Sequence, residues 1–264
     1  MQKQVVAEAQ PTCLSEREPG LELSRRGMLL GTGAGVVGLG LSVIPAALAQ
    51  VAHTSSGTSA QEVVNVASTI EVLTTVVTTT ALQKLSLPSA AVETVGAASR
   101  EELDHFDVLT SQFGGHPATK RVWIPDALFA SPTSLFTGLV VGEQICINLY
   151  LVATTVWAAE GNSRLARAGA ELVGNESVHR ALARQALNLQ PNDRAFAKYS
   201  QPEPAAGPGK GLSGFTTAAD AIKQFEAAGF GFGAKGKAPG SFYDFDTVSK
   251  HTPHPSFVNT PTPE

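Results

Sequence analysis

Cysteine is nearly absent from this sequence: Cys13 and Cys146 are the only two in 264 residues. Cys13 lies in a segment that reads as a leader. After cleavage one thiol remains and no intrachain disulfide framework is available. Cys146, at helical spacing on an apolar segment, reads as a small core residue. Basic runs are lacking as well. The net charge is −4, and residues 1–50 hold equal numbers of basic and acidic groups, so the remainder is equally acidic. With no basic patch, a nucleic-acid partner is not expected. Aromatic residues are scarce, at 6%. No phosphate loop, dinucleotide fingerprint or Ser-His-Asp pattern is present, so the usual motif-borne enzyme classes are not indicated.

What is present is apolar. Hydrophobic residues make up 43% of the chain, enough for one sizeable core with a small appendage. Residues 24–30 read Ser-Arg-Arg-Gly-Met-Leu-Leu, followed by a Gly- and Ala-rich apolar run and then Ala47-Leu48-Ala49 before Gln50. Residues 1–49 therefore resemble a twin-arginine signal peptide, with Met28 where that pattern prefers phenylalanine. The expectation is export across the cytoplasmic membrane in folded form, to a periplasmic or secreted location. No stable membrane span is expected after cleavage; the alternative is an anchor formed by an uncleaved leader. Residues 50–60 are small and polar, and read as a linker.

Four long segments follow, each with apolar residues at alternating three- and four-residue steps, the period of a helix. They span about 61–85, 89–113, 133–160 and 163–189. Leu87-Pro88-Ser89 and Gly161-Asn162-Ser163 break the pairs, with Ser89 and Ser163 as expected caps. The first segment is rich in valine and threonine, which by propensity alone would favour a strand. Residues 114–132 show no clear period and read as a long irregular connection, the length needed to bring the chain back along a bundle. Residues 191–264 are rich in proline and glycine, with a short helix expected near 216–228. His251 and His254 read as solvated.

Two stretches stand out, Glu102-Leu103-Asp104-His105 and Glu176-Ser177-Val178-His179. Each sets a carboxylate and an imidazole one helical turn apart on one face. Each follows a lone glutamate on the preceding segment, Glu71 and Glu143. Around the break at Leu87, Glu71 and Glu102 are nearly equidistant, both roughly 23 Å away at about 1.5 Å per residue. Glu143 and Glu176 are placed in the same way around Gly161. Arg100, Glu101, Asp104 and Asp107 fall off the stripe and are expected to face water. Four carboxylates converging in a core would resist desolvation unless neutralised. Two divalent cations would supply the matching charge, and carboxylate with imidazole suits iron or manganese.

At this point the chain resembles the ferritin-like superfamily over about residues 61–190, and most of all the secreted ferritin-like domain group related to plant desiccation-related proteins. In that pattern the first and third helices each give a glutamate, and the second and fourth each give Glu-x-x-His. Glu71, Glu102, His105, Glu143, Glu176 and His179 fill all six places. Tyr150, seven residues after Glu143, matches the third-helix pattern and is a candidate neighbour of a ligand. Where the first helix often has a second glutamate, Thr74 and Thr75 stand instead. The resemblance implies an all-α fold, a four-helix bundle of two antiparallel hairpins joined by a long crossover; by its composition the region after it is expected to be an irregular C-terminal tail. It implies two iron or manganese ions, iron preferred, and reaction with dioxygen or peroxide of ferroxidase or peroxidase type. The implied partners are dioxygen or peroxide and ferrous iron, and a homodimer is the assembly to test for. The alternative is a non-catalytic desiccation- or stress-related bundle whose metal site is structural or lost.

Overall fold

The computed structural model describes residues 59–193, 215 and 217–257. The expected leader lies outside the described residues, as does the linker up to residue 58. The chain is mostly helical. Among the described residues four helices are long: α1 (Ala60–Lys84), α2 (Ser89–Ser111), α3 (Pro132–Ala159) and α4 (Ser163–Ala186).

The valine- and threonine-rich first segment is a helix because burial against its neighbours overrides its intrinsic propensity, and several of its hydroxyls bond back along the backbone. Ser68 donates to the Val64 carbonyl and Thr78 to the Thr74 carbonyl, both at 2.8 Å. Thr69 and Thr74 bond back in the same way, Thr79 bonds across to Ser99, and the Thr75 and Thr80 hydroxyls are buried without a partner; α1 is enclosed on nearly all sides from Val63 to Ala81. Its start is fixed by a capping box: the Glu62 N–H reaches the Ser59 hydroxyl, and the Glu62 carboxylate accepts the Ser59 N–H. The expected caps of two later helices shift by one residue. Pro88 precedes α2, and Asn162 caps α4 by accepting the Leu165 N–H at 3.0 Å.

α1 packs on α2, and α3 packs on α4; α1 also touches α3, and α2 touches α4. Leu82 near the end of α1, Val95 on α2, Phe136 near the start of α3 and Ala183 near the end of α4 form one cluster. At the opposite end the Trp157 indole donates to the Ala60 carbonyl at 3.1 Å. Therefore α3 runs antiparallel to α1 and parallel to α2, and the connection between α2 and α3 must travel the length of the helices.

That connection is not irregular throughout. Arg121–Pro125 forms a strand, β1, and Asp126–Phe129 a turn of 3-10 helix. The C-terminal region is likewise folded over residues 217–257. It contains α5 (Ala218–Ala227), β2 (Gly231–Phe232), β3 (Gly240–Asp244) and a short helix α6 (Phe245–Val248). β1 lies between β2 and β3, antiparallel to both, with Val122 opposite Phe232 and Tyr243. α5 packs on α3 and α1, and α6 packs on α1. Thr252 reaches the core hydroxyl of Thr79 at 2.9 Å, and Thr79 in turn meets Ser99 at 2.6 Å. The short helix expected near 216–228 is α5, whereas the small sheet corrects the all-α expectation and the expectation of an irregular tail over residues 229–257.

The end of α2 fixes how that helix seats on α1. Gly114 adopts φ +67°, and the Gly115 N–H returns to the Leu109 carbonyl at 2.8 Å, closing the end of the helix. A Cβ at Gly115 would lie 2.2 Å from the Ser68 hydroxyl and 2.9 Å from the Leu109 carbonyl oxygen, whereas one at Gly114 would meet nothing. Gly114→Ala is therefore expected to cost about 1 kcal/mol, from the left-handed backbone alone. Gly115→Ala should cost about 1–3 kcal/mol through overpacking. Urea unfolding of the two variants measures the difference.

Candidate metal centre

Each long helix contributes to one buried cluster. α1 brings Glu71, α2 brings Glu102 and His105, α3 brings Glu143, and α4 brings Glu176 and His179; all six are buried. The geometry divides them into two overlapping sets. His105 Nδ1 lies 3.5 Å from Glu176 Oε1, 3.8 Å from Glu102 Oε2 and 3.9 Å from Glu71 Oε2. His179 Nδ1 lies 3.2 Å from Glu102 Oε1, 3.4 Å from Glu176 Oε2 and 4.0 Å from Glu143 Oε2. Thus Glu102 and Glu176 each turn one oxygen toward one histidine and the other oxygen toward the second. The imidazole centroids are 6.4 Å apart.

One donor atom per residue in the set Glu71, Glu102, His105, Glu176 lies within 4.8 Å of all the others; the same holds for Glu102, Glu143, Glu176, His179. Metal bonds of about 2.0–2.2 Å place donors on opposite sides of an ion roughly 4.4 Å apart, so each set is close to the size of one ion's shell. Seven donor atoms on five of these side chains are buried without a hydrogen-bond partner: both oxygens of Glu102 and of Glu176, Glu143 Oε2, and the Nδ1 atoms of His105 and His179. Burying unsatisfied charged groups is costly, and a cation would satisfy them. The residues present therefore fit a metal, and these buried Glu and His groups could hold one.

The electrostatics of the metal-free cluster follow from its crowding. Burial, with the Glu102 and Glu176 charges, pushes the Glu71 and Glu143 carboxyls well above the usual range. Burial also opposes ionisation of Glu102 and Glu176, but the two imidazoles outweigh it and hold both carboxyls below their ordinary value. His105 and His179 are raised well above the ordinary imidazole value, because the surrounding carboxylates outweigh burial.

Around the six are partners that helical spacing alone missed. The Tyr150 hydroxyl donates to Glu71 Oε1, and the Thr74 hydroxyl donates to Glu71 Oε2 at 3.1 Å. Tyr150 was a candidate neighbour of the cluster; Thr74, which stands where a second glutamate was looked for, holds the same carboxylate from its other side. His179 Nε2 meets Glu101 Oε2 at 2.5 Å, and His105 Nε2 meets the Asn175 amide at 3.2 Å. Glu101 was expected to face water; its side chain is one-third exposed (33%), and its carboxylate turns inward to His179. Arg100 and Asp104 are likewise not free in solvent but form an ion pair with each other that is largely buried. One signal for the outer partners was legible. Glu101 directly precedes Glu102, and Asn175 directly precedes Glu176, so each outer partner is the residue before a Glu-x-x-His.

Comparison with known protein families, curated proteins and solved structures gives no match to this chain.

Proposed function

We propose that the chain is an exported ferritin-like protein, a four-helix bundle holding two iron or manganese ions between its helices and reacting with dioxygen or peroxide. The observation that carries this reading is the set of seven partnerless buried donor atoms converging from α2, α3 and α4, with Glu71 beside them on α1. Glu71 and His105 would hold one ion, Glu143 and His179 the other, and Glu102 and Glu176 would hold both. Bound there, a pair of iron or manganese ions supplies the electrons for dioxygen or peroxide reduction. The chain's own contributions are to keep water out and the ligands aligned. Tyr150 and Thr74 fix Glu71, while Asn175 and Glu101 fix the two imidazoles. Ferrous iron is the proposed reductant, with a homodimer as the proposed assembly.

The test is metal analysis of the full chain after folding in its own compartment, followed by ferrous iron with dioxygen or peroxide. About two iron or manganese ions per chain with turnover support the reading. Metal without turnover favours a structural bundle of the desiccation-related kind, and no metal ends both the chemistry and the staple.

A pH dependence follows. In the metal-free protein Glu71, Glu143, His105 and His179 hold their protons to higher pH than in the unfolded chain. Groups shifted in this direction stabilise the metal-free fold at low pH, and that contribution fades as pH rises through their folded values. The ions require the same four groups deprotonated, so metal uptake releases protons. The rise in melting temperature on adding Mn2+ should therefore grow with pH through the acid-to-neutral range. Calorimetry at several pH values reads it, and a rise that shrinks with pH contradicts it.

A further inference from the structure

The inner donors of the two ion positions match: each has one private glutamate, one histidine through Nδ1 and the two shared glutamates. Their outer partners do not match. The histidine of one set meets a carboxylate, Glu101, at 2.5 Å; the histidine of the other meets a neutral amide, Asn175, at 3.2 Å. The two partners occupy equivalent places, each one residue before a shared glutamate and each reaching across to the other helix's histidine. This difference lies within an otherwise repeated arrangement.

We propose that Glu101 makes the two positions unequal, so that the one formed by Glu102, Glu143, Glu176 and His179 binds a divalent cation more tightly and fills first. This rests on the metal reading above. When Nδ1 faces an ion, the ring proton sits on Nε2 and must be donated outward. A carboxylate accepts that proton in a charge-assisted bond, shorter and roughly twice as strong as one to a neutral amide oxygen. It locks the ring's tautomer and orientation and leaves Nδ1 more electron-rich. Asn175 instead presents its side-chain Nδ2, a donor, to His105 Nε2; only with the amide turned over does its oxygen accept that proton, and then without the charge. Glu101 also adds a negative charge beyond His179 that the His105 side lacks. Glu101 touches no ion itself; it is a positioning residue acting through His179.

The experiment is a zinc titration of the full-length metal-free protein carrying 15N-labelled histidine, followed through the ring nitrogens. The first equivalent should shift His179 Nδ1 and the second His105 Nδ1, with stepwise affinities differing by about 10–100-fold, the usual worth of an outer partner. Glu101→Gln keeps the side-chain shape and should close that gap while still taking up both ions. Asn175→Asp gives His105 a carboxylate partner of its own, and the double variant Glu101→Gln/Asn175→Asp should reverse the filling order. A merely structural role for Glu101 would not move the order of two nuclei. The proposal is overturned if His105 shifts first, if both rings shift together in the unaltered protein, or if Glu101→Gln leaves the order and the gap intact. Zinc that shifts neither ring would instead overturn the metal reading itself.

Discussion

Glu176→Gln is expected to cost the protein both ions, whereas Glu71→Gln costs one. Both oxygens of Glu176 lie within the cluster, Oε1 3.5 Å from His105 Nδ1 and Oε2 3.4 Å from His179 Nδ1. An amide presents only one oxygen, and its NH2 group would face a ligand nitrogen or the ion. Every ligand set that includes Glu176 is thereby broken, and Glu176 is in both. Glu71 belongs to one set alone, so its loss leaves Glu102, Glu143, Glu176 and His179 complete. Glutamine preserves volume, which separates lost ligation from lost packing. Each broken position should weaken by more than the roughly 10–100-fold that even an outer partner is worth. Elemental analysis after desalting reads the outcome. If Glu176→Gln keeps one ion, or Glu71→Gln keeps none, the shared-carboxylate arrangement is wrong.

Stripping metal from the folded protein should lower its melting temperature by on the order of 10 °C or more. At a free metal concentration 1,000 times the dissociation constant, each position stabilises the fold by about 4 kcal/mol. For a domain of this size each kcal/mol moves the melting temperature by roughly 2–4 °C. The physical source is the buried charge: four carboxylates share one dry space, and without cations they are compensated only by protons and the two imidazoles. Calorimetry with and without a chelator measures the drop. Glu71→Gln serves as an internal control. In the metal-free protein Glu71 is already driven toward its neutral form by burial and by the Glu102 and Glu176 charges. Glutamine resembles that neutral form, so metal-free Glu71→Gln should melt close to metal-free parent and gain less on metal addition. A variant that melts far below the metal-free parent would show that Glu71 holds the fold in its charged state.

The helices were readable because their information is local. Stripes at three- and four-residue steps, a proline and a glycine pair mark α1 to α4 to within a few residues. The six inward residues were readable for the same reason, since equal spacing about a turn puts side chains at equal height. β1 was not readable. It has five residues, ends in Pro125, and its partners Phe232 and Tyr243 lie more than a hundred positions away. Nothing near Val122 in the chain announces them, because strand register is set by the partner. Glu101 was misplaced for a related reason. It sits on the polar side of α2, where a solvated charge is the ordinary expectation, and only the approach of α4 gives it a histidine to hold.

Sequence alone determined which residues share a helical face and how far each sits from its turn, because the helix repeat converts chain distance into height without reference to anything else. Tertiary structure alone decided which oxygen faces which nitrogen, which carboxylates are shared, and which neighbour steadies each imidazole. Those relations depend on how helices rotate and approach one another, and that is settled by packing across the whole core, where residues far apart in the chain come within about 4 Å.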